Sequence, residues 1–341
     1  MTKVPYTERG SVFINRTKEY TLKSTAQHWQ LQDCVVCPES QSEVYYLNDY
    51  RVQKFNQVTQ QVETTPHKFD FKSVSLNVGY GYSVTSGESS EISIYDSYCN
   101  QSRTHHIGKD INNHLSFNYN PIYLPAGCRP PSEPHLLACN NDGNIRVLSL
   151  PDLRIIKKIP MLYSVNYASV SPDGRKMVVV TDDQAVKLFD VRGSTYTPVQ
   201  SFNTFHNASY SCNWNQLSDM FAVATADGFI DIFDIRSQKK FREIRSTQHP
   251  RTGGACRVVK FSPGYSTDLM VFSEQTNYIN VIDTRNFEDI QRIRVAPDGQ
   301  KITGFSFTPD CNSLYVGIAD RLTTFAVNQT SRRCFGSWDI V

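Results

Sequence analysis

Cys34 and Cys37 form the chain's one Cys-x-x-Cys pair, which can hold half of a structural zinc site or carry out thiol–disulfide exchange. A structural zinc takes four ligands, and with His28 the local set stops at three. Positions three apart on a strand also face opposite sides, so neither zinc nor redox chemistry is expected there. His105, His106 and His114 read as polar loop residues rather than metal ligands. No Gly-x-Ser-x-Gly elbow, His-Glu-x-x-His pair or Gly-rich loop ending in Gly-Lys-Ser/Thr occurs. Gly79-Tyr80-Gly81 opens a glycine pattern but lacks its third glycine, which suits a turn or bulge. No paired carboxylates stand at an interpretable spacing. The expectation is a chain without catalysis, metal or cofactor.

Composition narrows the class. The 341 residues carry 35 Lys+Arg against 33 Asp+Glu, a net charge of +2. A balance so near zero argues against nucleic acid or membrane lipid as the main partner. At 39% hydrophobic and 12% aromatic the chain can bury a sizeable core. No stretch approaches the roughly 18 apolar residues of a membrane span, and MTKVPYTERG lacks a signal peptide's apolar core. Nine cysteines, mostly scattered singly, fit reduced thiols in cytoplasm or nucleus. The sequons at Asn15, Asn100, Asn207 and Asn328 then read as chance matches.

The elements that position any site come from a repeat. Segments 170–193, 213–237 and 261–286 share one grammar: a strand, a Ser-Pro-Asp-Gly-type turn, an apolar strand, a tight polar turn, and an alternating strand closing on Asp-x-Arg. Tight turns at Asp49, Glu88, Asp142, Asp182, Asp227, Thr276 and Asp320 are 39, 54, 40, 45, 49 and 44 residues apart. A four-stranded propeller blade takes about 40–45 residues. The long step holds the proline-rich loop Cys128–Pro134. Seven turns predict an all-β, seven-bladed propeller with four antiparallel strands per blade. The blades fall at 30–71, 72–109, 110–160, 161–204, 205–246, 247–296 and 297–336.

Phe189-Asp190-Val191-Arg192, Phe233-Asp234-Ile235-Arg236 and Ile282-Asp283-Thr284-Arg285 resemble the Trp-Asp dipeptide and following Arg of WD40 repeats, with Phe or Ile in place of Trp. The likeness is strong over about residues 135–326 and weaker over 30–110, where Tyr95-Asp96 is the best copy. It implies that His206, with Thr225 and Asp227 as partners, ties a turn to its strands. A propeller must hide its sheet edges. Residues 1–29 form an N-terminal extension in which Ser11–Asn15 can add a strand, ahead of a propeller over 30–336. The tail 337–341, with Phe335 just before it, can add a strand or stay free.

Loops joining the blades meet the tight turns at one end, near the central channel. The candidate ligand- or peptide-binding residues there are Asn112, Asn113, His114, Tyr163, Asn166, Asn207, Tyr210, Arg251 and Thr252. Asn offers both donor and acceptor to a peptide backbone, and Arg251 can pair with a carboxylate. The same side chains could instead satisfy their own loops. Arg236, Lys239, Lys240, Arg242 and Arg245 cluster on an outer strand, where basic residues discourage edge pairing. Phe241-Arg242-Glu243-Ile244 departs from the Phe-Arg-Arg-Gly of phosphoinositide-binding propellers by a Glu that would repel phosphate.

Segments 110–113, 137–142, 169–174, 269–274 and 281–285 resemble a fungal family of WD-repeat proteins that includes a substrate receptor of the GID (CTLH) E3 ubiquitin ligase. The resemblance implies a protein-binding adaptor that presents proteins to ligase scaffold subunits and docks through a hydrophobic C-terminal anchor. Phe335, Trp338, Ile340 and Val341 would fill that role. Val223-Ala224-Thr225 with Phe233-Asp234-Ile235-Arg236 is also similar to the box of cullin-4 receptors. A general scaffold for a multiprotein complex is the competing expectation.

Overall fold

The computed structural model describes residues 12–26, 28, 31–38, 40–118, 134–246, 254–263, 267–275, 277–297 and 300–329. They form seven four-stranded antiparallel sheets, and no helix occurs among them. The sheets follow chain order as the blades of a propeller. Their inner strands are Val35–Val36, Ser73–Gly79, Asn112–Asn118, Val165–Val170, Ser209–Trp214, Cys256–Phe261 and Ile302–Phe307. Asp49, Glu88, Asp142, Asp182, Asp227 and Asp320 all lie between a blade's second and third strands, as the repeat predicts, while Thr276 lies outside the described residues.

Middle strands are wedged between neighbouring blades, so both faces must be apolar. Met177–Val180 and Phe221–Ala224 are accordingly buried throughout, a run rather than an alternation. β-branched and aromatic side chains fit such pleated, doubly covered surfaces. The blade-five turn needs its glycine. Gly228 has φ +91°, and a Cβ there would lie 2.7 Å from the Gly254 carbonyl oxygen of the next blade.

Six inner strands carry an irregularity at the same place. Register slips between residues 73 and 75, 112 and 114, 165 and 167, 209 and 211, 256 and 259, and 302 and 304. Each bulge leaves a residue without a ladder partner and re-aims its side chain. Blade one differs: its inner strand is two residues long, and the irregular segment before it lays Asp33 beside Ser75.

The ring closes between the chain's two ends. Ile14–Tyr20 pairs antiparallel with Arg321–Val327 as the outer strand of blade seven. Gln291, on the outer strand of blade six and 3% exposed, holds this strand by its backbone. Its Oε1 accepts from Phe13 N at 2.7 Å and Ile14 N at 2.9 Å, and its Nε2 donates to Ile14 O at 2.8 Å. Phe335–Val341 lies outside the described residues.

A buried histidine joins blades one and two. His67 reaches Ser83 Oγ with Nδ1 at 2.7 Å and Ser93 Oγ with Nε2 at 3.0 Å, and stacks on Tyr95. Burial pushes its pKa down to about 4.

Gln291→Ala removes three buried hydrogen bonds to the closing strand, each worth about 0.5–1.5 kcal/mol. A lower urea midpoint and faster hydrogen exchange at Ile14 are expected. An unchanged midpoint would show that the latch does not hold the ring. His67 gives a pH dependence whose sign is fixed. Between about pH 4 and 6.5 the unfolded chain takes a proton there that the folded chain refuses, so stability falls as pH drops through that window. Each unit of difference is worth about 1.4 kcal/mol. Urea titrations of wild type and His67→Gln at pH 7 and 4.5 should show a shallower loss in the variant.

Candidate functional site

The inner-strand bulges and the interblade loops face the same end of the propeller, and the structure sorts the candidate residues there into three groups. The first is structural. Asn112 is fully buried, donating to Ile107 O at 3.0 Å and accepting from Asn140 Nδ2 at 2.8 Å. Asn113 Nδ2 donates to Val165 O at 2.9 Å and lies 3.3 Å from Asn166 Oδ1, while Asn166 Nδ2 donates to Ser209 O at 2.9 Å and Asp182 Oδ1 at 2.8 Å. Blades two to five are thus stitched in succession by these amides.

The second group lines the channel. His114 stacks on Tyr167 with ring centroids 3.4 Å apart, and burial lowers its pKa to about 3. Tyr210 is 7% exposed and lies beneath Arg257, 4.7 Å from its guanidinium carbon. Across the channel Asp33 accepts from Lys260 at 2.6 Å and from the Tyr167 hydroxyl at 3.1 Å. Asp33, Tyr167, Arg257 and Lys260 were not among the sequence candidates. The two cations in Cys256–Phe261, an otherwise apolar inner strand, were the available signal.

The third group is open to solvent. Tyr163 and Asn207 are exposed, and beside them stand two residues the sequence reading passed over: Leu162, 86% exposed, and Phe205, 75% exposed. Phe205 sits at φ 60° in the left-handed region, its amide donating to Asn203 Oδ1 at 2.7 Å. A bulky residue seldom occupies that conformation. Arg251, Thr252, Phe335, Trp338, Ile340 and Val341 lie outside the described residues.

His206 takes part in a cluster wider than expected. Its Nδ1 lies 3.4 Å from Asp227 Oδ2, and its Nε2 3.1 Å from Glu243 Oε2 and 3.6 Å from Asp231 Oδ1. Thr225, expected beside it, instead closes its own turn by exchanging two 3.0 Å hydrogen bonds with Phe229. His206, Asp231 and Glu243 offer ligand atoms within 4.8 Å of one another. The Lys240 ammonium stands where a metal ion would, 2.9 Å from Asp231, 2.7 Å from Glu243 and 3.4 Å from His206. Burial lifts the Asp231 carboxyl to about 6 while Lys240 pulls it back. This arrangement fastens the outer strand of blade five to the loop above it.

The remaining motifs are absorbed by packing. Cys34 and Cys37 enter different hydrophobic clusters, Cys34 with Leu47 and Phe69, Cys37 with Tyr20 and Phe55. Burial pushes the Cys37 thiol up to about 12 and Cys34 further. Arg236 and Arg285 form ion pairs with Asp234 and Asp283, two residues before each, whereas Asp190 pairs with Lys176. At the opposite end a groove between blades one and two is lined by Tyr45, Tyr82 and Tyr95, with Lys54 paired to Glu63 at 2.7 Å.

Lys240→Ala strands the buried Asp231 carboxylate and should lower stability by about 3–5 kcal/mol. It also vacates the position between three metal-ligand types. Scanning fluorimetry should show a thermal midpoint that rises with added Zn²⁺ in the variant and not in wild type.

Comparison with known proteins agrees with this architecture. An uncharacterised protein domain, DUF2415, matches residues 254–293, within blade six. An uncharacterised protein of Schizosaccharomyces pombe is 27% identical over 338 residues, covering 95% of this chain and 94% of its own length. An uncharacterised protein of Saccharomyces cerevisiae is 28% identical over 264 residues, 67% of this chain and 35% of that protein. A WD repeat-containing protein of Dictyostelium discoideum is 23% identical over 179 residues, 51% of this chain and 9% of that protein. The chain therefore spans nearly all of the first relative and about a third or less of the other two. The chain is thus a seven-bladed β-propeller with four antiparallel strands per blade, similar in sequence to a WD repeat-containing protein.

Proposed function

We propose that this propeller is a non-catalytic protein-binding adaptor that takes its ligand on the end carrying Leu162, Tyr163 and Phe205. The observation that carries the reading is the exposure of these three side chains, 86%, 46% and 75%, on loops of a rigid frame. Apolar side chains displayed together on one end mark a contact surface more often than scattered ones do. A protein fold also suits the charge balance, which favours neither a polyanion nor a membrane. The adaptor works in cytoplasm or nucleus, in keeping with the free cysteines at all seven described positions.

The partner complex is an E3 ubiquitin ligase, for which the chain acts as substrate receptor. This part rests on the resemblance of segments 110–113, 137–142, 169–174, 269–274 and 281–285 to the receptor-containing fungal family. In it the hydrophobic residues Phe335, Trp338, Ile340 and Val341 dock the ligase, leaving the loop end free for substrate.

Affinity purification of the full chain from its native host, read by mass spectrometry, tests both parts. The double variant Leu162→Ala, Phe205→Ala should lose bound substrates at least tenfold, since interface anchors are each worth about 1–2 kcal/mol or more. Removal of residues 335–341 should lose ligase subunits and spare substrates. Recovery of the same proteins by wild type and double variant overturns the docking face. If no ligase subunit accompanies wild type, the receptor role falls and a general scaffold remains.

A further inference from the structure

We propose that the groove between blades one and two is a docking site for a proline-rich peptide with a basic residue beside its prolines, at the end of the ring opposite Leu162 and Phe205. The groove has a volume of about 440 Å³, within the range of about 300–1,000 Å³ that ligand clefts span. Its walls are aromatic. Tyr45 comes from blade one, Tyr82 and Tyr95 from blade two, and the rings of Pro38 and Pro66 complete them. Pro66 falls where the outer strand of blade one bulges, between the pairs Arg51–Lys68 and Gln53–Thr64. At the mouth, Gly81 has φ +79° and a Cβ there would run into the Tyr98 ring, so the glycine makes room for a further tyrosine. Tyr98 is 78% exposed and stands edge-on to Tyr82, with ring centroids 6.3 Å apart.

These walls suit rings packed on rings, not a strand added by backbone pairing. Pro38 and Pro66 have no N–H to offer. The hydroxyls of Thr65, Tyr95 and Ser97 already donate, to Val52 O at 2.8 Å, Asn100 Oδ1 at 3.0 Å and Gly81 O at 2.7 Å. A polyproline II segment needs no backbone partner, is stiff before it binds, and presents pyrrolidine rings to an aromatic groove. Charge supplies the basic residue. Lys54 stands between two carboxylates, 2.7 Å from Glu63 and 3.7 Å from Glu43. Among the described lining residues two carboxylates thus face one ammonium, and an Arg or Lys of the peptide restores the balance.

Isothermal titration calorimetry of the full chain with the peptide Arg-Pro-Pro-Pro-Pro-Pro-Pro-Arg, at fixed ionic strength, tests the assignment. Saturable binding below millimolar peptide is expected, weakened at least tenfold in Tyr98→Ala and in Glu63→Lys. Both side chains are exposed, 78% for Tyr98 and 63% for Glu63, and unchanged circular dichroism confirms that the variants fold. Two control peptides, one with Ala at every Pro and one with Glu at both Arg positions, should each bind wild type at least tenfold more weakly. The proposal is overturned if wild type shows no saturable binding, if the folded variants bind as wild type does, or if either control peptide binds as well as the first. The double variant Leu162→Ala, Phe205→Ala should bind the peptide unchanged, so this site and the docking face on the loops stand or fall separately.

Discussion

The last blade of this ring is completed by chain that precedes the first, and the rest of the molecule depends on that closure. Edge strands left open would recruit other chains. Here the closing strand, Ile14–Tyr20, is held on one side by the ladder of Arg321–Val327 and on the other by Gln291. The second contact matters because it joins blade six to blade seven through a strand that belongs to neither in sequence. Hydrogen bonds between residues 277 and 278 positions apart have no local driving force. They form because a buried backbone amide is driven to find an acceptor, and closure brings Gln291 within reach of Phe13 and Ile14.

Closure also shapes the centre. Inner strands converge where there is little room for long apolar side chains, and the bulge at the start of six of them turns one residue per blade toward its neighbour. Where that residue is asparagine, its amide satisfies the neighbour's carbonyl, as Asn113 does for Val165 and Asn166 for Ser209. Where it is Arg257, the guanidinium lies over the Tyr210 ring instead. The same geometric device thus yields an amide stitch in blades three and four and a cation stacked on an aromatic ring in blade six. Blade one, with its two-residue inner strand, supplies Asp33 to the channel and neutralises Lys260 but not Arg257.

The outward surface follows a different logic. Charged residues on the outer strand of blade five are mostly paired: Lys240 with Asp231 and Glu243, Arg242 with Glu288, Arg236 with Asp234. Little unbalanced positive charge remains there for a phosphate or a lipid headgroup. Leu162 and Phe205 are the opposite case, apolar and uncovered on loops whose flanking strands are firmly packed. Phe205 holds a backbone conformation that residues of its size rarely adopt. A rigid frame with a few exposed apolar contacts on its loops is a binding architecture that needs no catalytic group.

Much of the fold was legible in the residues. The spacing of the tight turns, the β-branched runs and the Asp-x-Arg endings depend on contacts within a single blade, and such local rules repeat visibly in a sequence. The candidate site was less so. Asn112, Asn113 and Asn166 stood out by residue type and loop position, yet their donors are consumed by neighbouring blades. Thr225 was placed beside His206 by resemblance and instead closes its own turn, while Asp231, Lys240 and Glu243 gather there. Asp33 and Lys260 meet across the ring although 227 residues separate them. Sequence alone therefore determined the blade, its number and its order, because hydrogen-bond ladders and tight turns are short-range. Only the closed ring decided which polar groups are spent inside, like Asn113 and Asn166, and which apolar ones, like Leu162 and Phe205, stay exposed, because satisfaction and exposure are set by residues far away in the chain.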